Sequence, residues 1–164
     1  MNSPEQASRI VQKSTEKQVY TESFPTDELS WLMATCSKLL RETLQARFTS
    51  AGYQVTPDQW AILAHLWRQD GLSQQALADR FHRSKVSAFQ LISRLEAQGL
   101  VYRGSDPEDA RSNLIYLTAK GRSIQTSLVH FAQLNMDHAL DDISEEDLKV
   151  AKNVVRKIIA NTKK

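Results

Sequence analysis

The sequence predicts a mainly α-helical chain, a winged helix-turn-helix carried between long N- and C-terminal helices, and three observations point there. Residues 100–103 and 114–117 are short β-prone runs rich in Val, Ile, Tyr and Leu, separated by the turn formers Gly104-Ser105-Asp106-Pro107-Glu108-Asp109. Just upstream, residues 73–81 and 86–98 carry apolar residues at helical spacing, with the short polar break His82-Arg83-Ser84 between them. Long stretches with apolar residues three and four apart flank this unit on both sides. A short helix, a tight turn, a longer helix and a hairpin follow in that order.

Each element has its own local reason. Residues 1–25 are polar and mixed, an N-terminal arm in which Ser3-Pro4-Glu5-Gln6 has the spacing of a helix start. Residues 26–51 form the N-terminal helix, with a stripe of Leu29, Leu32 or Met33, Cys36, Leu39 or Leu40, Thr43 or Leu44, and Phe48 that ends at Gly52. Thr56-Pro57-Asp58-Gln59 is a capping box with proline at the first helical position, and it opens a helix carrying Trp60, Ile62, Leu63, Leu66 and Trp67 that stops at Gly71. Ser73 caps the next helix. Residues 52–118 are thus the winged helix-turn-helix region and residues 119–164 the C-terminal helices, one compact domain in all. There, a long helix beginning at Thr118 carries Ile124, Leu128, Phe131, Leu134 and Leu140. Ser144-Glu145-Glu146-Asp147 then caps a last helix whose stripe is Leu148, Ala151, Val154 or Val155, Ile158 and Ile159.

Three segments at fixed spacing carry a family resemblance: Leu95-Glu96-Ala97-Gln98-Gly99-Leu100-Val101, then Asp106-Pro107-Glu108-Asp109-Ala110-Arg111-Ser112, then Leu117-Thr118-Ala119-Lys120-Gly121. This set resembles the MarR family of transcriptional regulators, whose pattern reads L-E-x-x-G-L-V, D-P-x-D-x-R-S and L-T-x-x-G, and the order of helices fits from about Thr26 to the C-terminus. The resemblance implies a homodimer that interlocks its N- and C-terminal helices and presents two reading heads to double-stranded DNA. The pattern of the chain agrees, because the last two helices carry wide apolar stripes with little else to cover them.

Composition bounds the alternatives. With 164 residues and 41% hydrophobic content, the chain can bury one real core and is too short for two ordinary domains. Its single cysteine excludes an intrachain disulfide framework, and the absence of a signal segment or long apolar run leads us to expect a cytoplasmic protein with no membrane partner. The formal net charge is only +2, but its distribution is uneven: residues 80–122 hold eight basic and four acidic residues, leaving that segment at +4 and the remainder at −2. A basic reading head on a mildly acidic remainder suits phosphate binding, because affinity grows by counterion release while the other surfaces avoid random contact with DNA.

Within the reading head, a helix beginning near Ser84 or Lys85 turns Val86, Leu91, Ile92 and Leu95 inward and leaves Ser84, Lys85, Ser87, Phe89, Gln90 and Arg94 outside, where side chains reach base edges in the major groove. The Gln90 carboxamide can pair bidentately with adenine, Ser87 can contact a base or a phosphate, and Lys85 and Arg94 suit phosphates. Phe89 can contact a thymine methyl or serve in packing. Many relatives in the resembling family carry arginine in the place of Gln90 and threonine in that of Phe89, so the preferred DNA sequence of this chain cannot be borrowed from them. In the hairpin, the resemblance implies that Asp109 orients Arg111 for insertion into the minor groove, a task suited to arginine. The alternative is that the pair only braces the hairpin.

Other chemistries lack a foothold. His65, His82, His130 and His138 include no i,i+4 pair, and no Cys-x-x-Cys, HExxH, P-loop or GxSxG spacing occurs, so we expect neither catalysis nor a metal or other cofactor. The hydroperoxide-sensing branch of the family uses a cysteine near the start of its first helix, but its place falls near Met33 here, and Cys36 reads as a buried core thiol. The resemblance also implies an effector pocket near the first and second helices, where Trp31, Trp60, His65 and Trp67 supply flat apolar faces suited to a small aromatic or phenolic ligand; the same aromatics could equally be core. Two functions stand: a ligand-responsive repressor on a pseudo-palindromic operator, or a winged-helix module for protein interaction or non-specific nucleoid binding.

Overall fold

The computed structural model describes residues 28–81, 84–105 and 113–162. The chain divides into two compact units, Met1–Leu39 and Leu40–Lys164, and each is taken by itself. The expected class is observed, mainly helical with one small antiparallel sheet in the order of a winged helix-turn-helix. Helix α1 (Leu29–Ser50) buries only Leu44 and Phe48. Cys36 is exposed rather than a core thiol, because the buried face of α1 begins only at Leu44.

The capping box at Thr56 forms in full: Thr56 Oγ1 accepts from the Gln59 amide at 3.2 Å while Gln59 Oε1 accepts from the Thr56 amide at 2.8 Å. It starts α2 (Pro57–Arg68), which buries Gln59, Ile62, Leu63 and Leu66. Ser73 has two tasks. It lies in β1 (Leu72–Ser73), a two-residue strand that the sequence pattern had not revealed, and its hydroxyl accepts from the Ala76 amide to cap α3 (Gln74–Arg80). Ser84 likewise caps α4 (Lys85–Ala97) by accepting from the Ser87 amide. Gly99, at φ +69°, then ends α4 in the left-handed conformation that glycine adopts without a Cβ penalty, and Leu100 donates back to the Leu95 carbonyl at 2.9 Å. That reversal aims the chain into the hairpin. Strand β2 (Val101–Ser105) pairs antiparallel with β3 (Asn113–Leu117), from Val101 opposite Leu117 to Ser105 opposite Asn113, and β1 completes the sheet in the order β1-β3-β2.

The long helix expected from Thr118 is two helices, α5 (Ala119–Ser123) and α6 (Gln125–Ala139), joined at Ile124. Thr118 caps α5 by accepting from the Gly121 amide at 2.9 Å, and Gly121 lies against the Leu100 backbone, so α5 belongs to the root of the hairpin. The stripe expected on this segment also shifts: Leu128 is buried, Leu134 is exposed, and the second buried residue of α6 is Asn135. Arg47 Nε donates to Asn135 Oδ1 at 3.3 Å and Asn135 Nδ2 donates to the Leu40 carbonyl at 3.1 Å, which satisfies a polar group that burial would otherwise penalise. Helix α7 (Glu145–Asn161), capped by Ser144, has no buried residue. The core lies under α2, α4 and the sheet, where Phe48, Ile62, Leu63, Leu66, Leu77, Ile92, Leu95, Leu100, Val101, Ile115, Leu117 and Leu128 pack together. Each such side chain contributes about 1.5–3 kcal/mol of burial, and together they hold α4 rigidly against the hairpin.

Candidate nucleic-acid interface

Helix α4 turns Ala88, Ile92 and Leu95 into the core, with Leu91 half-buried beside them. The inward position assigned to Val86 is therefore corrected: the buried stripe runs through Ala88, Ile92 and Leu95, and Val86, two residues before Ala88, falls on the far side of the helix, 67% exposed. Ser84, Lys85, Phe89, Gln90 and Arg94 are all exposed, Gln90 facing away from that stripe, while Ser87 is half-buried with its hydroxyl 3.0 Å from that of Ser84. Phe89, 51% exposed, is not core. Asp109 and Arg111 lie outside the described residues, as do His82 and Arg83.

The root of the hairpin is bound to α4 through Arg103 of β2. Its guanidinium forms an ion pair with Glu96, donates to Ser93 Oγ at 3.0 Å and sits over the Phe89 ring, 5.2 Å from the centroid. Three side chains on one flank of α4 thereby hold one residue of the wing. Other ties fix the C-terminal end of α4. Gln59 Nε2 donates to Gln98 Oε1 at 3.3 Å, Gln98 Nε2 donates to the Gln54 carbonyl at 2.8 Å, and Lys120 Nζ donates to the Gln98 carbonyl at 2.8 Å, a cation at a helix C-terminus. Asp70, which the sequence pattern did not single out, accepts from the Leu117 amide at 2.9 Å and from Arg122 at 2.6 Å, joining the loop after α2 to β3 and α5.

These pairings sort the basic residues of the segment. Arg103, Lys120 and Arg122 are engaged in fixing the wing, and Arg80 donates to Gln69 at 2.7 Å. Lys85 and Arg94 are exposed on α4 and stand outside those pairings. Part of the positive charge of this segment is thus structural: Arg103, Lys120 and Arg122 fix the hairpin and α5 relative to α4 and the loop after α2.

The four residues considered for an effector separate into different environments. Trp31 lies in the first unit and is 39% exposed. Trp60 and Trp67 are half-buried against the core, with the Trp67 indole donating to the Gly121 carbonyl at 3.0 Å, while the Trp60 indole N–H is buried with no partner among the described residues. Burial, reinforced by the nearby charges of Arg80 and Arg68, holds the His65 imidazole below its usual pKa and so neutral at neutral pH. A concavity of about 560 Å³ runs along α1 from Arg41 to Ser50 and reaches Pro57, and none of the four residues lines it.

Among the described residues, no helix is long and apolar enough to cross a membrane and no cluster of His, Cys, Asp or Glu has the grouping of a metal site. A family description, MarR family, matches residues 53–112, which covers α2 through β2 and stops just before β3. The chain is 28% identical over 123 residues to the transcriptional regulator HosA of Escherichia coli O111:H-, covering 73% of this chain and 91% of that protein. Its fold is similar to the crystal structure of the transcriptional regulator PA3341, with a TM-score of 0.70 and 29% identity over 80% of this chain and 96% of the other. It is also similar, with a TM-score of 0.75 and 20% identity over 84% and 96% of the two chains, to BpsR of Bordetella bronchiseptica, a structure described in terms of regulation of DNA binding by 6-hydroxynicotinic acid.

Proposed function

The chain belongs to the MarR family of DNA-binding transcriptional regulators, and from that premise we propose that it is a homodimeric repressor that binds a pseudo-palindromic operator and releases it on binding a small aromatic or phenolic effector. One observation carries the DNA-binding part: α4 is the second helix of the helix-turn-helix, its outer face exposes Lys85, Phe89, Gln90 and Arg94, and the hairpin is bracketed to its flank. In this reading the N-terminal half of α4 enters the major groove and Arg111 reaches the adjacent minor groove. Gln90 pairs with adenine, Ser84 and Ser87 contact the backbone or a base edge, and Lys85 and Arg94 neutralise phosphates. The bare apolar stripe of α7 supports dimerisation, which gives two heads and a two-fold symmetric site.

Selection of duplexes from a random-sequence pool tests this reading. Inverted repeats with half-sites about one helical turn apart are the expected product; enrichment of single half-sites, or of no sequence, contradicts it. In the wing, Arg111→Ala is expected to leave the melting transition in place and to weaken operator binding by about 1–3 kcal/mol. Unchanged affinity at physiological salt would remove Arg111 from the minor groove and leave it a brace.

Two observations support an effector. The Trp60 indole N–H is a buried donor without a partner among the described residues, and such a donor gains a hydrogen bond when a polar ligand arrives. In BpsR, DNA binding is regulated by an aromatic acid, 6-hydroxynicotinic acid. An effector that prefers head spacings mismatched to successive major grooves releases DNA by that differential affinity alone. Titrating salicylate-like and phenolic compounds should quench tryptophan fluorescence and weaken operator binding in parallel. Quenching without loss of DNA affinity, or no response across the panel, would count against the pocket.

A further inference from the structure

We propose that the reading helix recognises thymine 5-methyl groups through Val86 and Phe89, with Arg103 acting as the positioning residue for Phe89. The inference rests on the DNA-binding reading above and adds the base chemistry. Val86 and Phe89 are 67% and 51% exposed on the N-terminal half of α4, the half that enters a major groove. Val86 and Gln90 stand one helical turn apart on the face opposite Ala88, Ile92 and Leu95, and Phe89 borders that face on the side of the hairpin. In the major groove only thymine presents an apolar group; guanine, cytosine and adenine present hydrogen-bond donors and acceptors. An apolar side chain pressed on those polar edges strips them of water without replacing the hydrogen bonds, so Val86 and Phe89 discriminate against G·C pairs beneath them. Gln90, one turn after Val86 and next to Phe89 in sequence, adds a carboxamide that matches adenine, so A·T pairs satisfy all three side chains together.

Arg103 supplies the precision. A phenylalanine exposed to solvent samples several rotamers, and fixing it on binding has an entropic cost. Here the guanidinium over the ring, itself held by Glu96 and Ser93, confines Phe89 before DNA arrives. Lys85 and Arg94 on the same helix supply the charge complementarity that commits this apolar surface to DNA.

The test uses the full chain and a duplex recovered by selection from random-sequence DNA, with each thymine replaced singly by deoxyuridine, which removes one methyl group and nothing else. Affinity is expected to fall about fourfold at one or two thymines in each half-site, the factor that corresponds to about 0.8 kcal/mol for one buried apolar carbon. Phe89→Ala and Val86→Ala, both at exposed positions outside the core, should each abolish the difference between thymine and deoxyuridine at one of those positions and retain it at the other. Arg103→Lys, which keeps the charge and loses the planar fork, should reduce discrimination at the Phe89 position and leave the Val86 position untouched. Wild-type protein indifferent to deoxyuridine throughout, or discrimination that survives both alanine variants, overturns the proposal while sequence-specific binding stands. Failure of the selection to enrich any sequence overturns the DNA-binding reading itself.

Discussion

Gly121→Ala is expected to destabilise the fold by about 3 kcal/mol, at the upper end of what overpacking costs. A Cβ at this position would overlap the Leu100 carbonyl oxygen and come within 3.3 Å of Leu117 Cδ2. Neither backbone can withdraw easily. The Leu100 carbonyl accepts from the Thr118 amide at 3.1 Å and from the Thr118 hydroxyl at 3.2 Å, and the Gly121 carbonyl accepts from the Trp67 indole at 3.0 Å. The substitution therefore strains the joint where α4, the hairpin, α2 and α5 meet, and the wing loses its fixed relation to the reading helix. Urea denaturation checks the first effect and operator affinity the second. Gly52 provides the control: its φ of +83° makes alanine unfavourable by about 1 kcal/mol, but no atom lies within 4 Å of the added Cβ. Equal denaturation midpoints for the two variants would show that close approach at Gly121 is not what the joint depends on.

Val154→Glu is expected to separate the dimer without disturbing the core of either subunit. Helix α7 has no buried residue, and Val150, Val154, Val155 and Ile159 are 58%, 43%, 38% and 45% exposed in the single chain. A helix with an apolar stripe at i, i+4 spacing and no cover among the described residues of its own unit fits completion by a partner, and a carboxylate in that stripe must be desolvated for the partner to dock. The variant should sediment at the 18.6 kDa of one chain while its far-UV circular dichroism is retained. Operator affinity should fall about 100-fold or more, because the second head then binds as a separate molecule and the effective concentration that linkage provides is lost. A dimer that persists with full operator affinity would take α7 out of the interface.

Much of this architecture was legible because local signals agreed with the global fold. The Thr56 capping box, the serine caps at Ser73, Ser84 and Ser144, and the glycine that ends α4 all appear where short-range chemistry places them. The motif ending in Gly121 was recognisable as a pattern, but its physical cause, a backbone-to-backbone approach at Leu100, exists only in three dimensions. What escaped the sequence depended on long-range partners. The two-residue strand β1 is too short to show alternation and is defined by its pairing with Ile115 and Leu114. Asn135 and Gln59 are buried polar residues that no hydropathy pattern places inside; only their hydrogen bonds to distant segments make burial tolerable. Val86 misleads in the opposite sense. A valine at helical spacing reads as core, yet Ala88 fills the inward position and Val86 faces out. Arg103 was counted among the charges that attract DNA, and its place over Phe89 gives it a structural task that a tally of charges cannot reveal.

The central claim is that the outer face of α4, set by the core and the wing root, reads DNA sequence. The ratio of affinities for the selected operator and for random duplex of equal length, measured at one physiological salt concentration, tests it most directly. Counterion release contributes to both complexes and cancels in the ratio, leaving the base contacts. A ratio of about 10³ or more, falling towards unity when Gln90 is replaced by alanine together with Phe89, is the expected result. A ratio near unity for the wild-type protein would make this chain a non-specific winged-helix binder and contradict the account.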